Sequence, residues 1–230
     1  MSEKIKISEL FGTIPHYLEP YARECEYPWE IIGRIGEIIA DLSGGEFREF
    51  ALLCDGVLVG EGVRIAESAR IEPPAVIGAN TEIRHGAYLR GNVIVGENCV
   101  IGNSSEIKNS ILLDGVQVPH YNYVGDSILG NKAHLGAGAI CSNLKSGGTN
   151  VSVHTSERDY DTKMRKLGAM LGDGADIGCG CVLAPGCIVG KNTTVYPLTF
   201  LRGTVGCDKI VKSTDNITEK SVISKNSPRG

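Results

Sequence analysis

An aliphatic residue recurs every six positions at Leu53, Val59, Ile65, Ile71, Ile77, Ile83, Leu89, Val95, Ile101, Ile107 and Leu113. Four positions after each anchor stands a mostly small residue, from Val57, Val63 and Ala69 through Cys99 and Ser105 to Ile111 and Gln117. The frame returns at Leu129, Leu135 and Cys141. It runs again through Leu171, Ile177, Leu183, Val189, Val195 and Leu201, with Ala175, Cys181, Cys187, Thr193, Thr199 and Val205 as small partners. A period of six matches neither a 3.6-residue helix nor an alternating strand. It matches a coil in which each hexad gives one short strand and one corner, with three hexads to a turn. The anchor points inward and the small residue lets a triangular coil close, so stacked coils form parallel sheets around an aliphatic axis. Glycine fits the corners: 30 of 230 residues, about 13% against a usual ~7%. Several cysteines fall on inward positions, where they serve as small buried hydrophobes.

The repeat predicts an all-β solenoid over residues 49–206, a helical extension over 1–48 and a loosely held polar tail over 207–230. In the extension, Pro28 opens a helix that buries Ile31, Ile32, Ile35, Ile38, Ile39 and Leu42 on one face, and Gly44-Gly45 stops it. Trp29 is expected to anchor this helix to the first coils. Two breaks interrupt the frame. Leu113 and Leu129 are 16 residues apart, which shifts it across Pro119-His120-Tyr121-Asn122-Tyr123. The polar stretch 144–166 is too long for a corner and predicts an excursion such as a hairpin. Breaks in a regular solenoid are where function concentrates.

The net charge of −4, from 23 Lys+Arg and 27 Asp+Glu, excludes a generally basic nucleic-acid binder. No apolar run of 18 residues predicts a membrane span, and MSEKIKISELFG has no signal-peptide core. Eight cysteines without a CxxC pair point to a reduced, cytoplasmic protein.

Residues 18 apart stack on one outer face, roughly 4.8 Å from coil to coil. Glu72, Arg90 and Lys108 form such a column, either a solvated charge ladder or the cationic seat of a phosphate. His120 lies in the frame break, where a neutral imidazole is either a solvated side chain or a general base.

The hexad pattern resembles the hexapeptide-repeat, left-handed parallel β-helix family. The stretch EIKNSILLDGVQVPHYNYVGDSILGNKAHLGAGAICSN narrows the resemblance. It carries Lys108, then His120, Tyr123, Gly125 and Asp126, then Gly136, Ala137, Gly138, Ile140 and Asn143. This looks like the acetyltransferase half of the bifunctional UDP-N-acetylglucosamine pyrophosphorylase/glucosamine-1-phosphate N-acetyltransferases. The resemblance implies acetyl-CoA as co-substrate, an amino-sugar phosphate as acceptor and a homotrimer with sites between neighbouring prisms.

It also implies roles. Arg90 and Lys108 hold the sugar phosphate, His120 is the general base, Tyr123 contacts the sugar, and Asn143 orients the amine or His120. Ala137 lies near the thioester. The family's next lysine matches Lys145 or Lys166, and Lys166 is taken as a co-substrate contact. His134 stands where these enzymes carry an Asn against the sugar, so it is a substrate contact that departs from the pattern.

The segment from the excursion through RKLGAMLGDGADIGCG looks closer to archaeal-type sugar-1-phosphate nucleotidyltransferase/acetyltransferases. No Gly-rich nucleotidyltransferase domain is found, so nucleotidyl transfer is expected from a separate partner if at all. A non-catalytic sugar-nucleotide-binding scaffold is the alternative reading. The γ-type carbonic anhydrases share the prism, but the position five after His120 is Gly125 rather than His. No metal is expected.

Overall fold

The computed structural model describes residues 5–44 and 49–220. Gly45, half of the expected helix stop, and residues 221–230 of the tail lie outside them. Over the described residues the chain is a left-handed parallel β-helix carrying short helices, with three sheets of nine, nine and seven strands along the prism and one separate hairpin. Each coil passes in turn through the first sheet (Ala75–Ile77), the second (Glu82–Ile83) and the third (Tyr88–Arg90).

The inward anchors form one continuous core from Ile77 through Val95, Ile101 and Ile107 to Val205 and Val211. Cys99, Cys141, Cys181 and Cys187 sit within it. Burial pushes the Cys99 and Cys141 thiols up to about 12, so they pack as neutral hydrophobes. Inward hydroxyls bond to the backbone of the next coil: Thr81 Oγ1 donates to Gly96 O at 2.8 Å and accepts from Cys99 N at 3.0 Å.

Five sequence expectations about the fold need correcting. Leu53 is no inward anchor; Ala51–Cys54 is an exposed antiparallel strand that caps the first sheet by pairing with Val57–Val59. The prism is also unbroken at Pro119–Tyr123. The inward residue after Ile107 is Leu112, not Leu113, and the frame then runs through Val118 and Val124 to Leu129. Two corners are each one residue short, at Asn109 and Asp126, whose φ values of 47° and 49° turn the chain through the left-handed region. Asn and Asp tolerate that region better than most residues. The slip makes Ser110 and Val116 the small inward residues and puts Ile111 and Gln117 outside.

The third correction concerns the tail. Lys209–Ser213 extends the second sheet and Asn216–Glu219 folds back on it, so the solenoid continues past Cys207. Val205 is likewise a strand residue, paired with Val189. The fourth concerns the extension: the single helix is two, Pro28–Ile32 and Ile35–Ser43, interrupted at Gly33-Arg34.

Their apolar face covers the outside of the first sheet. The middle residues Leu58, Val76, Ile94, Ile111, Ile128, Met170 and Ile188 make an apolar stripe, packed against Ile31, Ile35, Ile38, Ile39 and Leu42. The excursion closes through the Leu144–Lys166 bridge and contains the hairpin Ser152–His154/Asp159–Asp161. Trp29 meets this hairpin rather than the first coils, stacked on Tyr27 at 4.7 Å and edge-on to Tyr160 at 6.1 Å. No helix among the described residues is long and apolar enough to cross a membrane.

Candidate active site

Two edges of the prism border the third sheet, and the predicted site residues divide between them. The edge shared with the second sheet carries His120. The strand Gln117–His120 ends there, and successive backbone bonds stack His85, Asn103, His120, Ala137 and Cys179 coil upon coil. The His120 side chain is exposed. Its backbone is fixed from inside by Asn122, whose Oδ1 accepts the His120 N–H at 3.0 Å and whose Nδ2 donates to Gly136 O at 2.7 Å. Asn122 escaped the sequence reading, although it stands four positions after the inward Val118, where a side chain must enter the core.

Ala137 is exposed on the next coil, and no described residue accepts its N–H. The edge beyond it is floored by Gly138 and Gly180, both at positive φ, and bounded by exposed Tyr121 and Leu198.

The other edge, shared with the first sheet, carries Lys108, Asn109, Asp126 and Asn143 at the root of the excursion. Asp126 has only 5% of its side chain exposed. It accepts from Lys108 Nζ at 3.4 Å, from Asn109 Nδ2 at 2.8 Å and from Asn143 Nδ2. Tyr123 starts on the outer face of the third sheet and runs along its strand, so that its hydroxyl accepts from Asn143 Nδ2 at 3.1 Å. Burial raises the Tyr123 pKa against the pull of that hydrogen bond, which keeps the phenol neutral. Gly125 makes the contact possible, because a Cβ there would lie 2.5 Å from the Tyr123 hydroxyl and 2.7 Å from Asn143 Nδ2. Asn143 therefore bonds to Asp126 and Tyr123, not to His120, which stands across the strand Tyr123–Gly125 on the opposite edge.

Glu72 and Arg90 are register neighbours, with Lys108 on the following coil, as the 18-residue spacing predicts. Their partners differ from a simple ladder. Arg90 Nη1 donates to Glu106 at 2.6 Å, whereas Glu72 accepts from the Tyr88 hydroxyl at 3.0 Å and from Arg70. The Arg90–Glu106 pair is exposed and screened by water, so an incoming anion can displace it.

His134 lies on the outer face of the second sheet, its Nδ1 2.9 Å from Asp176 Oδ1 on the following coil. Lys145 Nζ is spent on Asn150 O within the excursion, while Lys166 is exposed beside Asn143 at the excursion neck. Ala137 and Lys166, both implied as co-substrate contacts, thus lie on different edges of one chain.

Residues 71–157 match the GMPPB C-terminal domain family. The chain resembles the hexapeptide-repeat acyltransferases. It is 30% identical over 106 residues to a bifunctional sugar-1-phosphate nucleotidylyltransferase/acetyltransferase of Sulfurisphaera tokodaii, a match covering 46% of this chain and 26% of the relative. It is 36% identical over 89 residues to the bifunctional protein GlmU of Methanococcus maripaludis, covering 39% and 21%. The match thus spans about a quarter of the length of these curated relatives. Among solved structures, the acetyltransferase domain of PglB from Neisseria gonorrhoeae, in complex with acetyl coenzyme A, aligns at 17% identity. That alignment covers 80% of this chain and 64% of the domain, with a TM-score of 0.34.

Proposed function

We propose that this protein is an acetyl-CoA-dependent N-acetyltransferase whose acceptor is an amino-sugar 1-phosphate, glucosamine- or galactosamine-1-phosphate, destined for a nucleotide sugar. The observation that carries the reading is the third-sheet face. It has an exposed imidazole on one edge, a lysine and a buried carboxylate network on the other, and Tyr123 between them. A basic nitrogen of His120 takes a proton from the sugar amine as the amine nitrogen bonds to the thioester carbonyl carbon. The C–S bond then breaks and the thiol leaves with the proton from the imidazolium, so atoms and charge balance. The Ala137 N–H, which no described residue accepts, lies on the His120 edge, where it would meet the developing oxyanion. Lys108, and Arg90 once Glu106 yields it, supply charge for the phosphate.

Because the two edges of one chain face apart, the reading includes a homotrimer in which one copy's His120 edge meets another copy's Lys166. Exposed apolar residues support this: Leu198 is 84% exposed and Phe200 56%, with Tyr196 and Val182 beside them. Leu198 also holds φ at 61°, an unfavourable conformation for a branched side chain in open solvent.

The test is release of CoA thiol from acetyl-CoA with each sugar 1-phosphate, with their nucleotide-linked forms and with no sugar. Turnover in the parent that falls at least ~100-fold in His120→Ala supports the assignment. Binding of the sugar without turnover in a folded trimer refutes it in favour of a scaffold. Turnover that survives the substitution removes His120 as the base.

A further inference from the structure

Asp126 has no assigned role, yet three side chains converge on it. It is the deepest charged group on the third-sheet face, and its donors come from two coils: Lys108 and Asn109 below, Asn143 above. A carboxylate only accepts hydrogen bonds, so it requires a donor from each. That requirement sets the orientation of the Asn143 amide: the NH2 end must face Asp126 and the Oδ1 end must face away. The same NH2 donates its second proton to the Tyr123 oxygen, which frees the Tyr123 O–H to donate elsewhere. No described residue donates to Asn143 Oδ1 or accepts from the Tyr123 hydroxyl.

We infer that Asp126 is a positioning residue that fixes the hydrogen-bonding polarity of this face, leaving an acceptor at Asn143 Oδ1 and a donor at the Tyr123 hydroxyl. The ligand class that fits offers an N–H or O–H to Asn143 and an acceptor oxygen to Tyr123, with an anionic group at Lys108. A sugar with an amine beside a phosphate-bearing carbon has this order of groups. The sugar's identity rests on the proposed function; the polarity does not.

Two measurements test this. In the 15N-labelled parent, the Asn143 side-chain amide, assigned by its loss in Asn143→Asp, exchanges at least about 10-fold more slowly than an exposed Asn amide. An unprotected amide overturns the inference whatever the variants do. Asp126→Asn can donate as well as accept, so it lets Asn143 turn. The protection is lost and kcat/KM for the sugar falls at least about 10-fold, while KM for acetyl-CoA stays unchanged. Asp126→Glu restores part of both. Unchanged amide exchange and sugar kinetics in Asp126→Asn overturn the inference. Failure of the parent to acetylate any amino sugar overturns the proposed function alone, because amide exchange reads the polarity without turnover.

Discussion

At the residue scale, the site depends on atoms that are missing as much as on those present. Gly125 and Gly102 both leave a Cβ no free room, but with different consequences. At Gly125 the clash is with the ends of two side chains, Tyr123 and Asn143, which can swing away. At Gly102 it is with backbone, since a Cβ would lie 1.6 Å from Pro119 O and 2.1 Å from its carbonyl carbon. Gly125→Ala should therefore fold with a nearly unchanged melting temperature and lose roughly 100-fold in sugar-dependent turnover, as expected for reacting groups displaced by about 1 Å. Gly102→Ala should fail to give soluble, cooperatively melting protein. Calorimetry and the thiol-release assay separate the two outcomes.

The motif around His120 was legible because its residues keep family order and spacing. Their division between two edges was not legible. It follows from where each corner falls in the coil, and Asn109 and Asp126 each shorten a corner by one residue.

At the scale of elements, the helices and the excursion act as one clamp on the outside of the first sheet. A solenoid face of Val, Ile and Leu must be covered, and here the helices Pro28–Ile32 and Ile35–Ser43 and the hairpin cover it. Trp29 is the fastening point, 4% exposed and packed between Tyr27 and Tyr160. Trp29→Ala should cost about 3–5 kcal/mol by loss of burial and creation of a cavity. Urea unfolding measures this, and limited proteolysis should show cuts gained first in the hairpin Ser152–His154/Asp159–Asp161. Because Asn143 roots the excursion, loosening the hairpin should also raise KM for the sugar before it touches KM for acetyl-CoA.

At the scale of the whole molecule, the exposed apolar cluster at the last coils makes the oligomer testable without any substrate. Leu198→Asp places a charge where the chain alone is 84% exposed. The substitution should leave the far-ultraviolet circular dichroism of the fold intact and shift the sedimenting species from trimer towards monomer. On the proposed reading, in which Ala137 of one copy and Lys166 of another share one site, turnover should fall with the trimer. A trimer that persists with full activity would count against this surface as the interface.

The hexad period alone specifies the coil. A six-residue period of inward aliphatics is a local property, readable without knowing what stacks on what, and it predicted the prism, the inward cysteines and the excursion. It pointed to Leu113, six positions after Ile107, because Ile111, Leu112 and Leu113 are all aliphatic and nothing local marks the short corner. Only stacking against Val95 below and Leu129 above decided for Leu112 and released Ile111 to the helices. The same register choice placed Asp126 at a shortened corner, within reach of Lys108 one coil below and Asn143 one coil above. Contacts between coils depend on cumulative register, which a single early slip changes for every residue that follows.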